Sequence, residues 1–150
     1  MQIGRANIRD SEEILALQKL AYSSEAKLHG DFQIPPLTET LDELRDKFKT
    51  HIFLKATEQE KIIGSVRALQ EENTCYIGRL MVHPDFQNQG IGTKLLLEVE
   101  HLFSCHKFEL FTGERSLRNI RLYEKLGYRR FKVERFGDNF ALVYLEKIKS

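Results

Sequence analysis

Residues 80–100, LMVHPDFQNQGIGTKLLLEVE, constrain this chain more than any other stretch. A run of apolar and branched residues stops at Pro84, a polar turn brings in Gly90 and Gly92, and a helical pattern starts at once. A strand feeding a helix in this way belongs in a sheet with helices packed on it, since each element has an apolar side to bury. The same turn is suited to an anion. A helix start leaves backbone N–H groups unpaired at the positive end of the helix dipole, and glycine lets a phosphate approach with no Cβ in the way. Gln87, Asn88 and Gln89 put neutral polar groups at the mouth, and Thr93 and Lys94 stand in the first helical turn. Read alone, the two glycines serve turn geometry as well as they serve an anion. Neither the GxxxxGK[ST] P-loop nor the GxGxxG dinucleotide fingerprint is present.

Around this stretch the hydrophobic period alternates between strand and helix. Ile3 to Arg9 reads as a first strand, and Asp10 or Ser11 as the cap of a helix with Ile14, Leu15, Leu17 and Leu20 on one stripe. Ser23 to Pro36, with Gly30 and the Pro35–Pro36 pair, reads mostly as loop. From Thr38 the segment TETLDELRDKF suits a second amphipathic helix on Leu41, Leu44 and Phe48. IFLKAT and KIIGSVRAL, joined by EQE, read as an antiparallel hairpin, and Thr74 to His83 as the next strand. Gly90 to Phe103 follows as a helix with Leu95, Leu96, Val99 and Leu102 inward, then a strand from Lys107 to Thr112. Leu117 to Leu126 reads as a helix stopped by Gly127. Tyr128 to Arg135 and Phe140 to Glu146 close the chain as strands turned at Gly137, Asp138 and Asn139. This order implies a mixed sheet flanked by helices, with residues 1–150 as a single domain.

At 150 residues a chain can bury a core without disulfides or metal, and 41% hydrophobic against 30% charged residues is ordinary for a globular protein. A net charge of +1 points to no polyanion partner, and RRFKVERF lacks a recognition helix or aromatic platform, so nucleic-acid binding is not expected. Cys75 and Cys105 form no CxxC spacing and read as ordinary thiols, while His101, Cys105 and His106 lack a second ligand pair, so no metal is expected. MQIGRANIRDSEE has neither the basic nor the apolar region of a signal peptide, and no apolar run approaches a membrane span. A cytoplasmic protein without a membrane partner is expected.

The filled positions Gln87, Gly90 and Gly92 resemble the pyrophosphate-binding motif Q/R-x-x-G-x-G/A of the GNAT acetyltransferase superfamily. Leu80, Val82, His83 and Pro84 are similar to the LxVHP strand that precedes it in that family. Downstream, SLRNIRLYEKLGYRRF resembles the family's helix ending in LYEKLGF. The resemblance covers the whole chain in element order and is motif-specific from Tyr76 to Tyr128. It implies a mostly antiparallel sheet of six to seven strands, splayed between the fourth and fifth and flanked by about four helices. It also implies acetyl-CoA as co-substrate, its pyrophosphate on Gln87, Asn88, Gln89, Gly90, Ile91, Gly92 and Thr93, and its pantetheine arm along Leu80, Met81 and Val82. Tyr123 takes the place of the tyrosine that faces the thioester sulfur, where a phenol can donate a proton to the departing thiolate. Ser116 stands where many members carry asparagine. Asn119, one turn before Tyr123 and on its face, is the better cofactor ligand of the two. Lys125, Arg129 and Arg130 are within the reach expected of a ribose phosphate contact, with Lys125 the foremost.

The resemblance is weakest at the general base. Where members of the family place a glutamate, this chain has Tyr76 and Phe111, and Glu109, Glu114, Glu71 and Glu72 read as surface carboxylates. A water chain or backbone carbonyl is left to serve, since amine attack on a thioester mainly needs positioning. His83 in its VHPDF turn reads as structural. The acceptor pocket is implied around Tyr22, Glu25, His29, Phe32 and Ile34 to Leu37, with Phe136 to Phe140 from the last hairpin. Glu25 and Asp31 there suit a cationic amine. The implied activity is acetyl transfer to a primary amine of a small molecule, peptide or protein; the alternative is a non-catalytic acyl-CoA-binding or regulatory module of the same fold. The alternating FALVYLE strand favours a homodimer.

Overall fold

The structure is a computed structural model that describes residues 1–149. In chain order it runs β1 (Gln2–Arg5), a 3-10 turn (Ile8–Asp10), α1 (Ser11–His29), α2 (Pro35–Thr38), α3 (Leu41–Lys47), β2 (Ile52–Glu58), β3 (Lys61–Glu71) and β4 (Thr74–Val82). A second 3-10 turn (Pro84–Phe86) leads to α4 (Ile91–Leu102), β5 (Lys107–Gly113), α5 (Leu117–Lys125), β6 (Arg129–Arg135) and β7 (Ala141–Ile148). The seven strands form one sheet in the order β1-β2-β3-β4-β5-β7-β6. Every neighbouring pair is antiparallel except β4 and β5. That parallel pair meets only where Thr74, Cys75 and Tyr76 face Lys107, Phe108 and Glu109. Beyond Tyr76 the two strands part, which is the expected splay between the fourth and fifth strands. Backbone groups on both facing edges are thereby left for another partner.

Strand alternation sends apolar side chains to two cores. On one face Leu54, Val66, Ile77, Phe108, Leu110 and Leu145 pack with Leu95, Leu96 and Val99 of α4 and Ile120 of α5. Leu95 and Leu96 are fully buried, each worth about 1.5–3 kcal/mol of transfer free energy. On the other face Phe53, Ile62 and Met81 meet Ile14 and Leu17 of α1 and Leu44 of α3. The start of α4 lies close on β3: a Cβ added at Gly64 would stand 3.0 Å from Ile91 Cγ2 and 3.3 Å from the Met81 carbonyl. Among the described residues no helix is long and apolar enough to cross a membrane.

The main departure from the sequence reading is the stretch from Ser23, expected mostly as loop. Helix α1 runs through it to His29, and Gly30 ends the helix in the left-handed region at φ 62°, so the glycine marks a stop and nothing before it. The hydroxyls of Ser23 and Ser24 turn back onto the carbonyls of Lys19 (2.7 Å) and Ala21 (3.2 Å). Pro35 and Pro36 open α2, where a missing N–H costs nothing. The first strand ends at Arg5 and not Arg9, because Asn7 and Asp10 close a capping box on the 3-10 turn. Asp10 stands at the N-cap of α1, but with its carboxylate held by the Asn7 N–H and Lys55 its side chain makes no capping bond there, and Ser11 lies inside the helix. Thr40, not Thr38, starts the next helix, in a capping box with Glu43. Leu20 and Leu102, expected inward, are exposed.

Candidate active site

At the end of β4 the His83 ring accepts the Asp85 N–H at 3.1 Å and so caps the 3-10 turn. The chain then passes through two left-handed residues, Asn88 (φ 65°) and Gly90 (φ 79°), into α4. No side chain caps this helix, and its first intrahelical bond is Lys94 N–H to the Gly90 carbonyl. The N–H groups before Lys94 therefore carry the positive end of the dipole toward open space. A Cβ on Gly90 would meet nothing within 4 Å; its conformation, not crowding by the protein, requires glycine. A Cβ on Gly92 would rest 3.4 Å from Leu122, an ordinary contact. The packing of the chain itself leaves the space above this turn unused.

Two cavities open on the gap between β4 and α5. A groove of about 500 Å³ is lined by Leu80, Met81, Val82 and Gln87 with Ser116, Arg118 and Asn119. A deeper cavity of about 590 Å³ is walled by Tyr123, Thr112, Phe111, Arg79, Phe136 and Phe140, with Ile34 and Pro35 above. The two share Tyr22, Glu25, Leu80 and Asn119, so the groove and the cavity meet at those side chains. Of the residues singled out in the sequence, Leu80, Met81, Val82, Gln87, Ser116, Asn119 and Tyr123 converge here. Asn88, Gln89, Gly90 and Thr93 sit at the turn, and Ile91 contributes only its backbone, since its side chain is in the core. Lys125 is exposed at the end of α5 and lines neither cavity.

Tyr123 is buried, yet its hydroxyl has no hydrogen-bond partner among the described residues, and its ring lines the deep cavity. Burial, with the negative charge of Glu25 nearby, holds its pKa far above the usual phenol value. Tyr22 is pushed up to about 12, chiefly by burial, and donates to the Leu80 carbonyl at 3.0 Å. Both phenols are protonated donors at neutral pH. Asn119 Nδ2 donates to Thr112 Oγ1 at 3.3 Å. The Ser116 hydroxyl is engaged by the Glu25 carboxylate, which leaves Asn119 the freer of the two. His29 Nε2 accepts the Arg115 N–H at 3.2 Å, so Nδ1 carries the proton and donates to the Glu25 carbonyl at 3.0 Å. That histidine is a fixed wall, packed edge-on to Phe140 at 5.2 Å and tight against Gly113.

Glu109 and Glu114 are paired with Lys107 (3.8 Å) and Arg135 (3.8 Å), and neither they nor Glu71 and Glu72 line either of these two cavities. The carboxylates on the deep cavity are Glu25 and Asp31, and only Glu25 also borders the groove. Sequence reasoning gave Glu25 no proton-transfer role and did not single out Arg118. The Arg118 guanidinium donates to Gln87 Oε1 and puts a cation beside the glycine turn. The signal for Glu25 was its spacing, with Tyr22 and His29 three before and four after it on one helical face.

A family model described as acetyltransferase (GNAT) family matches residues 12–128. The UPF0157 protein YqkA of Bacillus subtilis is 31% identical over 133 residues, which is 88% of this chain and 38% of that protein. The chain thus spans well under half the length of that relative. Among solved structures, PaiA N-acetyltransferase from Thermoplasma acidophilum in complex with coenzyme A is 19% identical with a TM-score of 0.80, covering 99% of this chain and 100% of that one. YncA of Salmonella typhimurium with its cofactor acetyl-CoA is 18% identical with a TM-score of 0.78, covering 99% and 93%. At those identities the likeness shows a shared fold.

Proposed function

The chain belongs to the acetyltransferase (GNAT) family, and from that membership we propose that it transfers an acetyl group from acetyl-CoA to a primary amine by direct attack. Residues 1–150 are read as one such domain, working in the cytoplasm. The observation that carries the reading is the meeting of groove and cavity at Tyr22, Glu25, Leu80 and Asn119, beside a buried phenol with no hydrogen-bond partner among the described residues.

The residues present fit the donor. Uncapped N–H groups at the start of α4, the open space over Gly90 and the cation of Arg118 suit a pyrophosphate. Gln87, Asn88, Gln89 and Thr93 surround that point, and Ile91 and Gly92 offer backbone N–H groups. The edge of β4 that β5 leaves unpaired beyond Tyr76 would bond the pantetheine arm along Leu80, Met81 and Val82 as a further strand does, the Leu80 carbonyl also accepting from Tyr22. Asn119 would hold that arm from α5. When bound, acetyl-CoA supplies an activated acyl carbon with a thiolate leaving group. Glu25 accepts a proton from the incoming ammonium, and Ser116 orients its carboxylate. Tyr123 would donate its proton to the leaving sulfur as the C–S bond breaks and the N–C bond forms, and the second nitrogen proton would return to its phenolate. Holding the amine at van der Waals distance from the carbonyl carbon is the larger part of the task.

Isothermal titration with acetyl-CoA tests the base of this reading. The native protein is expected to bind at about micromolar Kd, in the range of common substrate affinities. Gly90→Glu is expected to lose at least about 100-fold, through like charge at the phosphates and a side chain forced to positive φ. Absence of binding by the native protein would remove the acetyltransferase reading. Binding without turnover of any amine would leave an acyl-CoA-binding module.

A further inference from the structure

A charge on the wall of the deep cavity is only partly compensated by the fold. Glu39 is buried and bonded fork to fork with Arg67, at 3.2 Å and 3.1 Å, while Gln18 Nε2 donates to it at 2.9 Å. Burial opposes the ionised form of Glu39, but these donors and the two guanidiniums hold its carboxyl below the usual range. Arg79 approaches the same carboxylate only from the side, with Nε 3.6 Å from Oε1. That Nε is buried without a hydrogen-bond partner. No other carboxylate among the described residues lies within 4.0 Å of Arg79. Two guanidiniums thus share one carboxylate in a part of the protein where an unmatched charge costs several kcal/mol.

Position and shape make Arg79 available to a ligand. It adopts a left-handed φ of 52°, uncommon outside glycine, beside the irregularity where β4 loses register with β3 at Ser65 and Arg67. Its side chain lines the deep cavity next to Tyr22, whose phenol feels both Arg79 and Glu25. Elsewhere the walls include Ile34, Phe111, Phe136, Phe140 and Leu142, with Asp31 and Gln33 among the polar groups. A volume of about 590 Å³ suits a small molecule. The required guest therefore has a primary amine for Glu25, an anion for Arg79 and an apolar body for the aromatic wall.

We propose that the acceptor is a free amino acid with an apolar or aromatic side chain, its carboxylate taken by Arg79 while its amine faces Glu25 and Tyr123. This rests on the acetyltransferase reading above. The planar guanidinium matches a carboxylate in a bidentate pair, which an uncharged peptide carbonyl next to an N-terminus does not offer. The product is an N-acetyl amino acid: the ammonium gives one proton to Glu25, an N–C bond forms, the thioester C–S bond breaks, the sulfur leaves with the proton of Tyr123, and the second nitrogen proton returns to the Tyr123 phenolate.

The test is titration of the CoA-saturated protein with N-acetyl-L-phenylalanine and with N-acetylphenethylamine, which differ only in the carboxylate. The native protein is expected to bind the first at least about 10-fold more tightly, one good charge-assisted pair being worth that much. In Arg79→Met the preference is expected to fall to within about twofold, and Arg79→Lys to retain part of it. An acetyl-CoA titration of each variant checks its fold, and the native comparison decides alone if a variant does not fold. Equal binding of the two ligands, no binding of either at millimolar concentration, or an undiminished preference in folded Arg79→Met overturns the proposal. Rates with phenylalanine and phenethylamine separate its failure from that of the activity. Phenethylamine acetylated as well as phenylalanine sinks the carboxylate site alone, whereas failure to bind acetyl-CoA sinks both readings.

Discussion

Tyr123→Phe separates chemistry from packing because the oxygen it removes makes no hydrogen bond to the described residues. The ring stays in place against Tyr128, 6.1 Å away centroid to centroid. No folded-state hydrogen bond is lost, so stability should change by no more than about 0.5 kcal/mol, or about 2 °C in Tm for a chain of this size. The loss of a general acid is of another order, about 10²- to 10⁴-fold in kcat, equivalent to about 2.7–5.4 kcal/mol of barrier. Free-thiol release at saturating acetyl-CoA and amine measures kcat, titration measures acetyl-CoA affinity, and a thermal melt measures stability. A kcat within about threefold of native with an unchanged melt would refute the acid role of the phenol. A melt lowered by many degrees would refute the reading of its hydroxyl as a group reserved for the site. Burial holds the Tyr123 pKa well above the ordinary phenol value, so the native rate should rise with pH as the amine deprotonates. No descending limb from this group should appear below about pH 10.

Glu39→Gln leaves the buried Arg67 and the half-buried Arg79 without a counter-ion and should cost about 3–5 kcal/mol, seen as a Tm drop of at least about 6 °C. The folded pKa of Glu39 lies below its unfolded value, so its contribution is present above about pH 4.3 and fades as the pH falls through the folded pKa; melts at descending pH should show a shallower acid loss in the variant than in the native protein. Gly64→Ala drives a methyl against Ile91 and the Met81 carbonyl, which should cost about 1–3 kcal/mol and weaken acetyl-CoA binding by displacing the start of α4, both read by melt and titration.

The strands, α4 and α5 were legible because their signals are local: a period of two or of 3.6, a glycine where the backbone turns left-handed, an apolar stripe facing one sheet. The glycine turn was legible for the same reason, and the element order carried the splay once the family resemblance was in hand. What was hidden required a partner distant in sequence. Arg79 looks like one more charged residue on a strand until Glu39, from the far side of α2, is seen to be already claimed by Arg67. The register irregularity that turns Arg79 away from strand alternation has no mark in GRL.

The end of α1 is a different case, since its helical pattern was present but written in unusual letters. Tyr22, Glu25, Ala26 and His29 stand at i, i+3, i+4 and i+7, the spacing of a buried stripe. An apolar template misses it because this part of the helix borders the cavity and meets the sheet through polar contacts, Tyr22 on the Leu80 carbonyl and His29 against Gly113, where leucine is not required. Ala26 and His29 are buried there, and Tyr22 and Glu25 border both the groove and the cavity. Hydrophobic periodicity fails there because the inner face carries polar and aromatic side chains that border the groove and the cavity. A loop reading of Ser23 to Pro36 would have left Glu25 without a fixed position. The helix continuing to Gly30 supplies one, with Ser116 holding the carboxylate and His29 bonded to the carbonyl of the same residue.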